Sequence, residues 1–391
     1  MTLRILSFTT LYPNAEQPVH GIFVENRLRR LVESGEASVT VVAPVPWFPF
    51  KGQSFGTYGA YARVPHKEHR HGIDIYHPRY KTLPKVGMNV APRLMYEGVR
   101  SFVMKLVANE GPFDIIDAHY FYPDGITASM LSDALDLPIC ITARGTDLNL
   151  IPQFDEPRQQ IQLTASYAGA IITVCDALQQ PLLDMGIDPG KITTLRNGVD
   201  LDMFTPHDRA AARAHWDVEG PTLVSVGGLN ERKGHHLIIE ALTSLPDATL
   251  LIAGGGRDES QLKKLAQSHG LANRVRFLGV VPHEELASLY SAADVLVLAS
   301  SREGWANVLL EAMACGTPVV ATDIWGTGEV VTAPEAGLLI EERSAAAIAE
   351  GVSRLLADVP DRATTRSYAE QFSWEPTTQG QLDIFRRLIA Q

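Results

Sequence analysis

The sequence predicts an α/β protein made of two parallel-sheet, Rossmann-like domains, and three observations carry that prediction. Short apolar runs recur along the whole chain, as in LRILSFT (3–9), DIIDAH (114–119), TLVSV (222–226) and DVLVLAS (294–300). Runs without polar alternation mark strands covered on both faces. Segments with helical spacing of apolar residues lie between them, the alternation that builds βαβ units. The 391 residues, 45% of them hydrophobic, can bury a sizeable core and are long for one domain.

Taken in order, strands are expected near 3–9, 39–44, 74–80, 114–119, 138–143, 170–175 and 192–196, with helices near 22–34, 91–109, 124–135 and 176–185. A second series places strands near 222–226, 248–253, 275–279, 294–299, 318–322 and 337–340. The turn pair in Asn197-Gly198-Val199-Asp200 ends the first series and Pro206 delays the second, so the domains are read as 1–199 and 200–374. Residues 375–391 form a last helix.

Composition narrows the function classes. The net charge is −11, of which residues 1–199 carry only −1, from 18 Lys and Arg against 19 Asp and Glu. Residues 60–105 are locally basic, with nine cations (Arg63, Lys67, Arg70, Arg79, Lys81, Lys85, Arg93, Arg100 and Lys105) against Glu68, Asp74 and Glu97. An acidic chain without a nucleic-acid-binding motif argues against DNA or RNA as partner. A patch facing anionic lipid and a solvated basic face both fit this stretch. No run of about eighteen apolar residues and no signal-peptide shape are present. The expected location is the cytoplasm, with the inner face of the membrane as the surface a basic patch would meet. Cys140, Cys175 and Cys315 are far apart in apolar runs and read as reduced core residues.

The chemistry concentrates in SREGWANVLLEAMACGTPVVATDIWGTGEVV (301–331). Leu309, Leu310, Met313 and Ala314 recur at helical spacing, and Gly316 with Pro318 stops the helix. Glu311 rides on that helix, where a buried carboxylate needs a partner that a sugar hydroxyl would supply. Glu303 precedes the helix beside Gly304, Trp305, Ala306 and Asn307, an entrance whose outward N–H groups favour an anion. The segment is a strand, helix, strand unit, and ligands of such sheets gather at the carboxyl ends of strands.

Three further loops stand at predicted strand ends. Gly21, closing PNAEQPVHG, lets backbone approach a ligand closely. His119 ends a buried strand, and Arg144 and Asp147 lie in the loop TARGTDLN after the next. In VSVGGLNERKGHH, the spacing of Gly227, Gly228 and Gly234 misses the dinucleotide-binding pattern, which argues against a nicotinamide cofactor. What remains is Arg232-Lys233 beside a helix start, a natural diphosphate clamp. Asp200-Leu201-Asp202 spells a D-x-D metal motif but lies in the expected hinge, and no metal site is assigned.

The run from Glu303-Gly304 to Glu311-Ala312, with Met313, Ala314, Gly316, Thr317, Pro318 and Val319, resembles the E-x7-E signature of the retaining GT-B glycosyltransferases of family four. The resemblance implies two domains facing a cleft, with the last helix crossing back to an N-terminal acceptor-binding domain. It implies a C-terminal domain that binds a nucleotide-diphosphate sugar, with Glu303 at the donor sugar and Glu311 at the ribose. Donor contacts at Gly21, Gly227, Gly228, Gly304, Trp305, Ala306 and Asn307, catalytic roles for Lys233, Arg232 and His119, and acceptor contacts at Arg144 and Asp147 follow from it. Where the family commonly has a phosphate-binding Arg this chain has Gly228, with Arg232 as the nearest substitute. SFTTLYPN and HGIFVE are similar to bacterial cell-surface, teichuronic-acid-type members. The expectation is a metal-independent, retaining transfer to a glycan or lipid-linked acceptor, with no cofactor beyond the donor. A nucleotide-sugar epimerase, a phosphorylase of similar shape and a non-catalytic sugar-binding subunit stay open beside it.

Overall fold

Strands that are apolar on both faces must be covered on both faces, and in the computed structural model, which describes residues 2–83 and 87–391, two sheets form on that rule. One unit holds Met1–Arg196 and Glu375–Gln391; the other holds Asn197–Trp374.

The first unit contains β1 (Leu3–Phe8), β2 (Ala37–Val42), β3 (Val45–Pro46), β4 (Lys67–Arg70), β5 (Ile73–Tyr76), β6 (Arg79–Tyr80), β7 (Ile115–His119), β8 (Ile139–Ala143), β9 (Ala170–Thr173) and β10 (Ile192–Thr194). Eight of these form one sheet in the order β10-β9-β8-β7-β1-β2-β5-β4, while β3 and β6 pair separately. Ile5 stands level with Val39 on one side and Ile115 on the other. Ile5, Val39 and Ile115 share a core with Val24, Leu28 and Leu31 of the Ile22–Glu33 helix and with Leu382, Phe385 and Leu388 of the Glu375–Ile389 helix.

Two expectations are corrected here. The single strand expected over 74–80 is two strands in different sheets, because Pro78 between them has no N–H to give to a ladder. The first sheet is also not wholly parallel: polar β4 pairs antiparallel with β5, and its lysine-bearing edge suits an exposed border. The basic stretch is less available than its sequence suggests. Arg63 pairs with Glu16, Lys67 with Asp74, Arg70 with Glu25 and Arg93 with Glu97. Lys85 lies outside the described residues.

The second unit contains β11 (Thr222–Val226), β12 (Thr249–Ala253), β13 (Val275–Gly279), β14 (Val295–Leu298), β15 (Val319–Thr322) and β16 (Gly337–Ile340). They are all parallel, in the order β13-β12-β11-β14-β15-β16. Leu250, Ile252, Val295 and Val297 pack on Ile238, Ile239, Ile348 and Val352 of the helices beneath.

The last helix is held to the first unit by polar groups as well as by its apolar face. Arg27 Nε donates to Gln381 Oε1 at 2.8 Å, and Gln381 Nε2 donates to Asp117 Oδ2 at 3.0 Å. Asp117 Oδ2 lies 3.1 Å from His119 Nε2, and Arg144 Nη2 stands 2.7 Å from His119 Nδ1. Arginine can only donate, so Nδ1 is the accepting nitrogen and the ring proton sits on Nε2, toward Asp117. Burial pushes the His119 imidazole down to about 4, with Asp117 opposing and Arg144 reinforcing.

That depression predicts a pH dependence. The unfolded ring takes up a proton below its ordinary value of about 6.5. The folded ring waits until about 4, so the stabilisation is whole above 6.5 and is lost as pH falls between the two. His235, also held down to about 4 by burial, adds in the same direction, whereas buried Asp124, raised to about 7, opposes it. Urea midpoints measured from pH 7.5 to 5 are expected to fall more in wild type than in His119→Gln. Equal falls in the two would remove His119 from the explanation.

Candidate active site

In the second unit β11 and β14 are neighbours although two strands separate them in sequence. Connections leave this pair toward opposite sides of the sheet, so the loops at their carboxyl ends diverge and leave room for a ligand. The loop after β11 carries Gly227 to Gly234, and the loop after β14 carries Ala299 to Ala306.

Glycine brings these loops together. Gly234 has a φ of 71°, and a Cβ on it would stand 2.0 Å from the Ala299 carbonyl oxygen, so no other residue fits without moving the chain. A Cβ on Gly227 would meet the Lys233 Cε at 3.3 Å, so the missing side chain gives Lys233 its channel. Ser301 N donates to Arg232 O at 2.8 Å and stitches the loops directly. Arg343 secures them from below, with Nε on Ala299 O and Nη2 on Glu231 O.

The result is a charged triangle. Lys233 Nζ donates to Glu303 Oε1 at 2.6 Å, Ser300 Oγ donates to the same oxygen at 2.7 Å, and Arg232 Nη1 lies 3.4 Å from it. Arg232 Nη1 also donates to Arg302 O at 2.8 Å. Burial would push the Glu303 carboxyl up, but the charges of Lys233 and Arg232 with the hydrogen bonds outweigh it and hold it below the ordinary carboxylate range. The structure thus brings together Glu303, Lys233 and Arg232, three of the four residues expected to be catalytic. Gly228 is exposed beside them.

Glu311 stands on the Asn307–Ala314 helix. Tyr290 Oη donates to its Oε2 at 2.8 Å, and His283 Nε2 lies 3.6 Å from Oε1. Burial disfavours the charged His283 ring, yet the neighbouring Glu311 carboxylate, aided by Glu284 and Asp200, lifts its pKa above the ordinary value. Glu311 therefore has protein partners already, both missed from the sequence because neither lies near it along the chain. At the helix entrance, Gly304 and Ala306 are buried, and the Trp305 Nε1 donates to Asn197 O at 3.0 Å. Asn307 Oδ1 accepts from Asn197 Nδ2 at 3.3 Å. The Trp305 ring packs near Phe372, so its side chain is spent on the unit's own structure. Past the other end of the helix, Arg362 Nη2 donates to Cys315 O and Arg366 Nη1 donates to Ala314 O, cations placed where the helix leaves carbonyls over.

The expected residues of the first unit lie on one edge of its sheet, around the neighbouring ends of β1 and β7. Each of them already has contacts within the protein. Asp147 is fully buried and accepts from the backbone N–H groups of Phe121 at 2.9 Å, Gly145 at 2.7 Å and Arg144 at 3.0 Å. Those bonds make it the staple of its loop. Gly21, with a φ of 71°, needs no ligand to explain it, since a Cβ would stand 2.3 Å from the Leu11 carbonyl group. His119 is fully buried with both ring nitrogens facing protein groups, and Arg144 lies with its guanidinium 5.6 Å from the Phe23 ring centre. Among the described residues, no group of three or more His, Cys, Asp or Glu is placed to hold a metal ion. Asp200 Oδ1 instead accepts from the Met203 N–H at 3.1 Å, as a turn does. Cys140, Cys175 and Cys315 are buried and unbridged, and no described helix is long and apolar enough to cross a membrane.

Comparison with known proteins agrees with this fold. Residues 21–203 match the model of Glycosyltransferase Family 4, and residues 208–372 match that of Glycosyl transferases group 1. The chain is 28% identical over its full length to 94% of TuaC of Bacillus subtilis (strain 168), a protein named for teichuronic acid biosynthesis. It is 31% identical to the D-inositol 3-phosphate glycosyltransferase of Mycobacteroides abscessus, over 73% of this chain and 68% of that protein. Among solved structures, the sucrose-phosphate synthase of Thermosynechococcus elongatus matches over 100% of both chains, with a TM-score of 0.81 at 22% identity. HepE of Anabaena, solved with UDP-glucose, matches over 99% of this chain and 100% of its own, with a TM-score of 0.76 at 18% identity. With both units matched and the Glu303, Lys233 and Arg232 cluster at a strand switch point, the chain belongs to the GT-B glycosyltransferases of group 1 and family 4.

Proposed function

We propose that this glycosyltransferase moves a sugar from a nucleotide-diphosphate donor to a glycan or lipid-linked acceptor in cell-surface polysaccharide synthesis, with retention at the anomeric carbon and without a metal. The observation that carries the reading is Lys233 held 2.6 Å from Glu303 at the carboxyl ends of β11 and β14, with Arg232 beside it. When the bond from the anomeric carbon to the diphosphate breaks, negative charge grows on the leaving phosphate. Preorganised cations at that point stabilise the transition state more than the ground state. Lys233 and Arg232 supply them in place of a divalent ion. The acceptor oxygen bonds to the anomeric carbon on the face the phosphate leaves, and its proton passes to the departing phosphate oxygen. Glu303 steadies the sugar, while Glu311 takes the ribose hydroxyls, its second oxygen already fixed by Tyr290.

The HepE structure with UDP-glucose supports a nucleotide sugar as the donor class. TuaC supports a surface polysaccharide as the product. The acceptor is met by loops at the carboxyl edge of the first sheet, Arg144 among them, with Asp147 setting the loop's shape and Asp117 fixing the His119 ring. A panel of UDP, GDP, ADP and their sugars tests the donor directly, since a ligand at a hundred times its Kd adds about 2.7 kcal/mol of stability. An epimerase would instead convert the donor with no acceptor present, a phosphorylase would need phosphate to release the sugar, and a binding subunit would be stabilised without turnover.

Two variants follow from this arrangement. Glu311→Ala removes a charged acceptor from the ribose hydroxyls and should weaken donor binding by about 1.5 to 3 kcal/mol. Calorimetric titration giving equal donor affinity in wild type and variant would remove Glu311 from the donor site. Lys233→Ala, compared at saturating donor and with the melting temperature checked, should cost about a hundred- to a thousandfold in kcat. Arg232→Ala should fall in the same range if both cations neutralise the leaving diphosphate, and near-normal turnover would leave Lys233 to do so with backbone amides alone.

A further inference from the structure

Charge is distributed in this chain with a gap that the glycosyl transfer reaction does not explain. Although the chain carries 45 acidic residues, residues 37–67 contain none, and neither do residues 75–96. The fold brings these two tracts together. β3 pairs with β6 in parallel, and Trp47 N extends the pairing by donating to Tyr80 O at 2.7 Å. The Gly56–Arg63 helix packs on β3, and the Ala91–Glu110 helix packs on β6.

The cleared surface is also aromatic. Trp47 is 55% exposed, Phe50 56%, Phe55 44% and Tyr58 39%, with Leu83 at 53% on the paired tract. These are not scattered rings. Phe48 touches Phe50, Phe55 and Tyr58 at centroid distances of 5.4 to 5.9 Å, and Phe50 stacks on Phe55 at 5.2 Å. Single exposed apolar residues are ordinary, but a contiguous raft of this kind marks an interaction site. Lys51 and Lys81 are exposed on the two tracts, and among the described residues no carboxylate pairs with either. Arg63 Nη1 donates to Lys51 O at 2.8 Å and fixes the loop that carries the raft.

Amphipathic rings rimmed by lysine suit the headgroup boundary of a bilayer. The scarcity of carboxylates selects its charge, because a chain of net charge −11 approaches an anionic surface best where its own anions are few, and Glu16, which the fold brings to this element, is paired with Arg63. Rings packed against one another also do not offer the separated faces that stacked nucleic-acid bases need. We propose that the element from Trp47 to Arg63, with Lys81 and Leu83 beside it, seats this chain on an anionic lipid bilayer, its rings at the headgroup level and Lys51 and Lys81 at lipid phosphates. β3 and β6 lie beyond the carboxyl ends of β2 and β5, on the sheet edge that carries Gly21, His119 and Arg144. Seating by this element would therefore hold the acceptor-side loops near lipid. The purpose given to the contact rests on the proposed lipid-linked acceptor, whereas the contact itself does not.

The test uses the full chain and sedimentation with vesicles of phosphatidylcholine alone or mixed with phosphatidylglycerol, at low and physiological salt. Wild type should sediment with the anionic vesicles at low salt at least tenfold more than with the neutral ones, and less as salt rises. Trp47→Ser/Phe50→Ser/Phe55→Ser and, separately, Lys51→Glu/Lys81→Glu should each lower the bound fraction at least tenfold while the melting temperature and the nucleotide-induced thermal shift stay as in wild type. Equal binding to both vesicle types, or wild-type binding by both variants, overturns the proposal. So does retardation of wild type in native gels cast with a soluble polyuronate, if the ring variant loses that retardation and keeps its vesicle binding, since the raft is then a sugar platform. A failed donor reading shows separately, as a wild type that no nucleotide stabilises.

Discussion

A carboxylate cannot stay charged out of water without a cation, and the second unit is arranged around that requirement at Glu303. Its partner Lys233 reaches it at 2.6 Å only because Gly227 leaves a channel for the lysine stem and Gly234 lets the turn lie on Ala299. The pair is a poor device for stability, since the desolvation of two charges consumes most of what their attraction returns. It is a good device for exchange. A carboxylate holding Lys233 and Arg232 in place keeps two cations preorganised; in the proposed reaction a diphosphate supplies the same charge, and preorganisation is what gives electrostatic catalysis its size.

In the first unit the corresponding position, the neighbouring ends of β1 and β7, is filled from within. Asp117, His119, Arg27 and Gln381 are nearly or completely buried, and hydrogen bonds run from Arg27 through Gln381 of the last helix to Asp117, whose carboxylate lies 3.1 Å from His119 at the strand end. Such a network is costly when any one member is missing. The segment from 375 onward therefore belongs to this unit by its polar groups as much as by Leu382 and Phe385. Asp124 does similar work for the loop after β1, accepting from Thr10 N at 2.6 Å.

The sheets were legible in the sequence because their strands are covered on both faces and so read as unbroken apolar runs; β11, β13 and β16 lie where TLVSV, 275–279 and 337–340 put them. β3, β4 and β6 left no such trace, being two residues long or polar. The cluster of Glu303, Lys233 and Arg232 was legible because each sits beside a glycine turn at a strand end, a local pattern. The partners that decide what a residue does were not. Gln381 lies 264 residues from Asp117, and Tyr290 lies 21 residues from Glu311 on another helix, so no spacing announces either. For the same reason Asp147 read as a contact residue, since a loop aspartate looks alike in sequence whether it faces a ligand or the N–H groups of its own turn.

The most direct measurement separates the two things Glu303 is held to do, pairing with the cations and steadying the sugar. Glu303→Gln keeps the shape and removes the charge, so titration with UDP and turnover with a donor sugar can be compared in one variant at matched folded fraction. The account predicts diphosphate affinity equal to or tighter than wild type, because Lys233 and Arg232 lose a competing anion. It also predicts a kcat lower by at least tenfold, about 1.4 kcal/mol in the barrier. Turnover and affinity both unchanged would contradict it and leave Glu303 as a structural ion pair.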